Sequence, residues 1–143
     1  YQYYQGEEME IPDLNGEPIE FLCENTSEKQ AQAIDKQVAK LINEQNIKPK
    51  DIAVIVLDNY NHAEELLLKT RNRNLWAFKE FSPKSHVLVE TAKRFKGLEA
   101  NIIFLWILDS TNMNKKLLYV SISRARFRLW IVGDQDIDNI KVE

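Results

Sequence analysis

The chain is poor in the residues that build the commonest ready-made sites. Of its 143 residues one is cysteine, Cys23, which excludes a disulfide scaffold or a cysteine-rich metal centre and suits a reducing compartment. The four glycines, Gly6, Gly16, Gly97 and Gly133, are too scattered to form a dinucleotide-binding or Walker A loop, so the chain brings no phosphate cradle of its own. Its longest apolar run, Ile102 to Leu108, is far too short to cross a bilayer, and no signal-peptide pattern opens it, so a membrane role is not expected. His62 and His86 have no cysteine or carboxylate partner at ligand spacing and read as surface or satisfied polar residues, so no metal site is expected. Repeats and low-complexity tracts are absent as well.

What is present is the composition of an ordinary globular domain, 44% hydrophobic and 29% charged, and long enough for one sizeable core. The net charge of -3 hides an uneven distribution. Residues 1–30 carry eight acids against Lys29 alone, whereas residues 69–128 carry thirteen Lys and Arg against four acids. The second stretch could gather into a patch for phosphates, or stay a solvated basic surface. The first residue is Tyr1 rather than Met, which favours a piece of a longer protein.

Residues 1–17 read as an acidic, irregular leader, and a regular alternation begins at Pro18. Pro18 to Cys23 predicts a strand in which Cys23 is a small buried residue. Ser27 with Gln30 predicts a capping box, followed by a helix whose apolar face is Ala31, Ile34, Val38, Leu41 and Ile42, ended by Asn46 and Pro49. Ile52 to Leu57 is a continuous apolar run, as in strands buried on both faces of a parallel sheet. Asn59 or Asn61 can cap a second helix through Leu68, and a short strand is expected near Trp76. Strands at Val87–Thr91, Ile102–Leu108 and Phe127–Gly133 complete the pattern, with a helix over Lys115–Ala125. Strands alternating with helices predict α/β architecture, a mostly parallel sheet covered by helices, with ligands at the carboxyl ends of the strands. Trp106 and Trp130 lie in strand runs and read as core; Trp76, in a basic stretch, is a candidate platform for stacking bases.

Two segments carry candidate chemistry. In Thr91-Ala92-Lys93-Arg94-Phe95-Lys96-Gly97-Leu98-Glu99, three cations fall within four residues after a strand, Thr91 offers a hydroxyl, Gly97 permits a turn and Glu99 adds an acceptor. This suits a nucleic-acid phosphate on one side and a ribose or metal-bound water on the other, and equally a solvated helix start with an ion pair. In Leu117 to Arg126, Leu118, Ile122 and Ala125 form an apolar helix face while Arg124 and Arg126 project from the final turn. Cations there suit the helix dipole, and a rigidly held Arg124 could equally reach a transferring phosphoryl group.

Taken together, "TAKRFKGLEANIIFLWIL" followed by "LLYVSISRARFRLWIVGD" resembles motifs V and VI of the UvrD and Rep type of superfamily 1 DNA helicases, in their second RecA-like motor domain. The stretch "EKQAQAIDKQVAKLINEQNIKPKDIAVIV" is similar to the start of that domain, so the resemblance spans about Pro18 to Asp134 and makes residues 18–143 one RecA-like C-terminal helicase domain. It implies a three-layer RecA-like fold. Arg124 then falls on the catalytic arginine that contacts the γ-phosphate of ATP across an interdomain cleft, Gly97 and Glu99 on nucleotide contacts, and Thr91, Lys93 and Arg94 on the single-strand DNA track. Tyr119 holds a position that orients the motif VI helix, a role core packing explains as well.

Departures are a lysine at 93 where histidine is common, a serine at 123 where threonine is usual, no Asn-Tyr-Arg stretch of motif IV, and no room between Leu68 and Thr91 for the large inserted subdomain. The implied cofactors are ATP and Mg²⁺, bound mainly by a first motor domain absent from this sequence. The implied partners are that N-terminal RecA-like domain and single-stranded or partly duplex DNA, in a cytoplasmic DNA-repair setting. The competing reading is a non-catalytic RecA-like module for nucleic-acid or protein interaction.

Overall fold

In the computed structural model, residues 19–78, 85–92, 94, 100–108 and 125–134 are described. The acidic leader and the helix expected from Lys115 lie outside them. Six strands form one all-parallel sheet: β1 (Glu20–Cys23), β2 (Ile52–Val56), β3 (Trp76–Phe78), β4 (Val87–Thr91), β5 (Ala100–Trp106) and β6 (Ala125–Gly133), in the spatial order β1-β6-β5-β2-β4-β3. Helix α1 (Ser27–Gln45) joins β1 to β2, and α2 (Tyr60–Leu67) joins β2 to β3. The expected α/β architecture with a parallel sheet is what the chain adopts.

The central strands follow from their composition. All five residues of β2 are buried, because β2 lies between β5 and β4 with side chains packed on both faces. On one face Val54, Val56, Phe104, Trp106 and Val132 pack with Ala31, Ile34, Val38 and Leu41 of α1 and with Ala63 and Leu67 of α2. The other face holds Ala53, Ile55, Ile103, Leu105, Leu129 and Ile131 in a second buried cluster. The apolar alternation of β5 thus feeds both layers, which is why its run is unbroken. The sheet's edges are short strands of four and three residues, which leaves little ladder open for pairing with another chain.

Several local expectations are corrected. The N-cap of α1 is Thr26, whose hydroxyl accepts the Lys29 N–H at 3.2 Å, and Ser27 is the first helical residue. Gln30 does not close a capping box. It is 3% exposed, its Nε2 donates to the Glu24 carbonyl at 3.0 Å, and its Oε1 accepts the Trp106 indole N–H at 2.9 Å. Asn46 ends the helix in the left-handed region (φ 57°), and the Ile47 N–H returns to the Leu41 carbonyl at 3.1 Å. Asn59 precedes α2 with φ 56° and makes no side-chain cap, so its contribution is tolerance of that backbone rather than a hydrogen bond.

Cys23 is exposed rather than buried, because it ends an edge strand that has a neighbour on one side alone. Ala125, expected as the last helical residue, begins β6 instead and takes Arg126 with it. It pairs with Ala100, and β6 then gains one residue on β5 before Arg128 meets Ile102, a bulge that lets the strand start early.

Trp76 is 5% exposed and its indole donates to the Thr70 hydroxyl at 3.1 Å, so it is core and not a stacking platform. Trp106 and Trp130 are core as expected. The Trp130 ring stacks on Phe104 with centroids 5.6 Å apart and planes 4° from parallel. Arg128 lies 5.7 Å from the Trp130 centroid while donating to Gln45 at 3.0 Å, which ties β6 to the end of α1.

Candidate functional site

Sheet topology directs attention to one edge. The connection leaving β2 runs toward β3, whereas the chain leaving β5 returns at β6 on the opposite side, and β2 and β5 are neighbours. Their carboxyl ends therefore form a switch point, the place where open α/β sheets bind ligands. The ladder continues just past the strands there, with Leu57 N–H on the Trp106 carbonyl at 3.1 Å and Ile107 N–H on the Val132 carbonyl at 2.8 Å. After β2 the chain reads Leu57-Asp58-Asn59, with no glycine to let backbone N–H groups approach a phosphate and with an acid that repels one. Among the described residues this crevice offers no triphosphate cradle.

The neighbouring carboxyl end of β4 carries the described part of the candidate motif. Thr91, its last residue, is half-buried, and its Oγ1 accepts the Arg94 backbone N–H at 3.2 Å. Glu90 is 8% exposed; its Oε1 accepts the Thr91 N–H at 2.9 Å and lies 3.4 Å from Arg94 Nη1. The turn is thus closed twice, once by backbone onto hydroxyl and once by an ion pair. Below it, the Tyr60 hydroxyl donates to the Val89 carbonyl at 2.9 Å and fixes the start of α2 against β4.

The structure therefore brings Thr91 and Arg94 together at the strand end, with Arg94 exposed. A guanidinium has five N–H donors, and one contact with Glu90 leaves most of them for a phosphate. Glu90 is the residue that reading the motif alone misses; its signal is an acid four positions before Arg94. Lys93, Gly97, Glu99 and Arg124 lie outside the described residues. His62 belongs to a different surface: its Nε2 is 3.4 Å from the Ser27 hydroxyl and its Nδ1 is 4.0 Å from Glu65. Among the described residues no group of three or more potential metal ligands occurs, and no helix is long and apolar enough to cross a membrane.

An all-parallel α/β sheet with its switch point at the strand carboxyl ends is the doubly wound arrangement that RecA-like domains share with other open-sheet folds. Residues 86–132, from the start of β4 into β6, match the family of UvrD-like helicase C-terminal domains. The resemblance read from the motifs is borne out by that match. Among solved structures, the crystal structure of the C-terminal domain of a possible DNA helicase from Lactobacillus plantarum WCFS1 superimposes with a TM-score of 0.65 at 21% identity, over 85% of this chain and 74% of that one. At that identity the likeness concerns the fold. No curated protein matches the chain.

Proposed function

We propose that residues 18–143 are the C-terminal motor domain of an ATP-dependent DNA helicase or translocase of the UvrD type, working with a P-loop domain elsewhere in a longer cytoplasmic protein. The observation that carries this reading is the family match over 86–132, laid on a parallel sheet whose β4 ends in the Thr91–Arg94 turn. In this reading Thr91, Lys93 and Arg94 contact the backbone of single-stranded DNA, and the Glu90 ion pair positions Arg94 for it.

The Leu57-Asp58-Asn59 crevice is unsuited to ATP, so in this reading the partner domain would hold most of the nucleotide, with Mg²⁺ there to supply charge neutralisation for its phosphates. Gly97 and Glu99 add nucleotide contacts from this side. Arg124 is the arginine finger: a planar guanidinium stabilises charge spread over the transferring phosphoryl oxygens. Closing and opening the cleft around the nucleotide would move the two DNA contacts relative to each other. The chain alone should not hydrolyse ATP.

The test is single-strand-stimulated ATP hydrolysis by the protein that joins this chain to its P-loop domain, beside its Arg124→Ala variant. The expected result is stimulated turnover that falls ~10³- to 10⁵-fold in the variant. Full turnover in the variant would remove Arg124 from the mechanism. No turnover in either protein would favour the interaction module.

A further inference from the structure

At the opposite end of the sheet a groove opens between the second half of α1 and the turns that precede β3 and β4. Its volume is about 440 Å³, and it continues into a second hollow of about 590 Å³ that shares Ala39, Asn43, Arg71 and Asn72 with it. Because His86 lines it and Thr91 ends the same strand, groove and motif turn are separated by the length of β4, ~17 Å at ~3.3 Å per residue. It therefore belongs to neither the switch point nor the Thr91–Arg94 turn.

The groove has three kinds of wall. Ile42 and Leu75 give a half-buried apolar floor. Asn43 and Asn74 stand exposed beside it, each with an amide donor and acceptor. Lys36 and Arg71 at the rim, with Arg73 in the same turn, are exposed cations that make no ion pair among the described residues.

Among the described residues the acid lining it is Asp35, which is 7% exposed and already occupied: its two oxygens accept the Asn72 backbone N–H at 3.2 Å and the Asn72 Nδ2 at 3.1 Å. That clamp fixes the Arg71–Asn72–Arg73 turn before any ligand arrives, which lowers the ordering cost of binding. An apolar floor, amides with both donors and acceptors, and exposed cations match the three parts of a nucleotide: ring face, base edge and phosphate. An acidic peptide would also meet the cations, so polyglutamate competition is part of the test.

We propose that this groove binds one or two nucleotides of a single-stranded nucleic acid, phosphates on Lys36, Arg71 and Arg73 and a base edge on Asn43 and Asn74. It is a second contact, at the end of the sheet opposite the motif turn, and stands independently of the motor reading.

The test is fluorescence anisotropy of a labelled thymidine 20-mer with the full chain across a salt series, comparing Arg71→Ala/Arg73→Ala, Asn43→Leu and Thr91→Val. Removing two phosphate contacts should weaken binding about tenfold at low salt and lower the salt slope by ~1.4, at ~0.7 per single-strand phosphate. Asn43→Leu should weaken binding without changing the slope, and the Arg71/Arg73 loss should persist in the Thr91→Val background. Unchanged affinity and slope in the double variant would overturn the proposal. So would polyglutamate displacing the oligonucleotide from the wild-type chain as well as unlabelled thymidine oligomer does, which would reassign the groove to an acidic protein.

Discussion

Replacing Gln30 by alanine tests whether this residue is a helix cap or a buried bridge. Its amide joins the Glu24 carbonyl after β1 to the Trp106 indole at the end of β5. Alanine deletes both hydrogen bonds, each worth ~0.5–1.5 kcal/mol net, and leaves a fully buried indole N–H without a partner, a further ~1–3 kcal/mol. Allowing for overlap between these contributions, the expected destabilisation is about 2–4 kcal/mol. With a urea slope of ~2 kcal/mol per molar, the unfolding midpoint falls by about 1–2 M.

The decisive measurement is the double-mutant cycle with Trp106→Phe, which removes the orphaned donor. The Gln30→Ala loss should shrink by about 1–2 kcal/mol in that background. A capping-box glutamine would cost only ~1 kcal/mol and would be indifferent to residue 106. Additivity within ~0.5 kcal/mol would therefore refute the bridge.

Lys93→Ala is expected to weaken single-strand binding and flatten its salt slope with little change in ATP affinity, as read by filter binding across a salt series. Trp76→Phe should leave single-strand affinity unchanged in the same assay, because the ring is buried; a tenfold loss would restore the stacking role. Asn46→Ala should destabilise the chain by ~1 kcal/mol and Asn46→Gly should match or exceed the parent in urea unfolding, since the position has φ 57° and glycine alone adopts it without strain.

The elements most legible in the sequence were those whose signal is local. The spacing of Ala31, Ile34, Val38 and Leu41 is a property of one helix, and the unbroken Ile52–Val56 run is a property of one strand buried on both faces. The motif around Thr91 was readable for the same reason, since a strand end, a turn and its cations are contiguous. Less legible was what each polar or aromatic side chain meets. Glu90 looks like one more acid until the turn brings Arg94 back onto it, and Trp76 looks like part of a basic loop until Thr70 is seen to accept its N–H.

By itself, then, the sequence determined the alternation of strands and helices, the apolar faces that must be buried and the helicase-like spelling of residues 91–134, because periodicity and motif spacing act over a few turns of chain. Only the tertiary structure decided the order β1-β6-β5-β2-β4-β3, and with it the switch point, the exposure of Cys23 on an edge strand and the groove under α1. Those depend on which distant segments become neighbours. Gln30 and Trp106, 76 residues apart, meet because α1 crosses the same face of the sheet on which the Trp106 ring is buried. No propensity within either segment encodes that encounter. It follows from the packing of the two segments against one another in a single core.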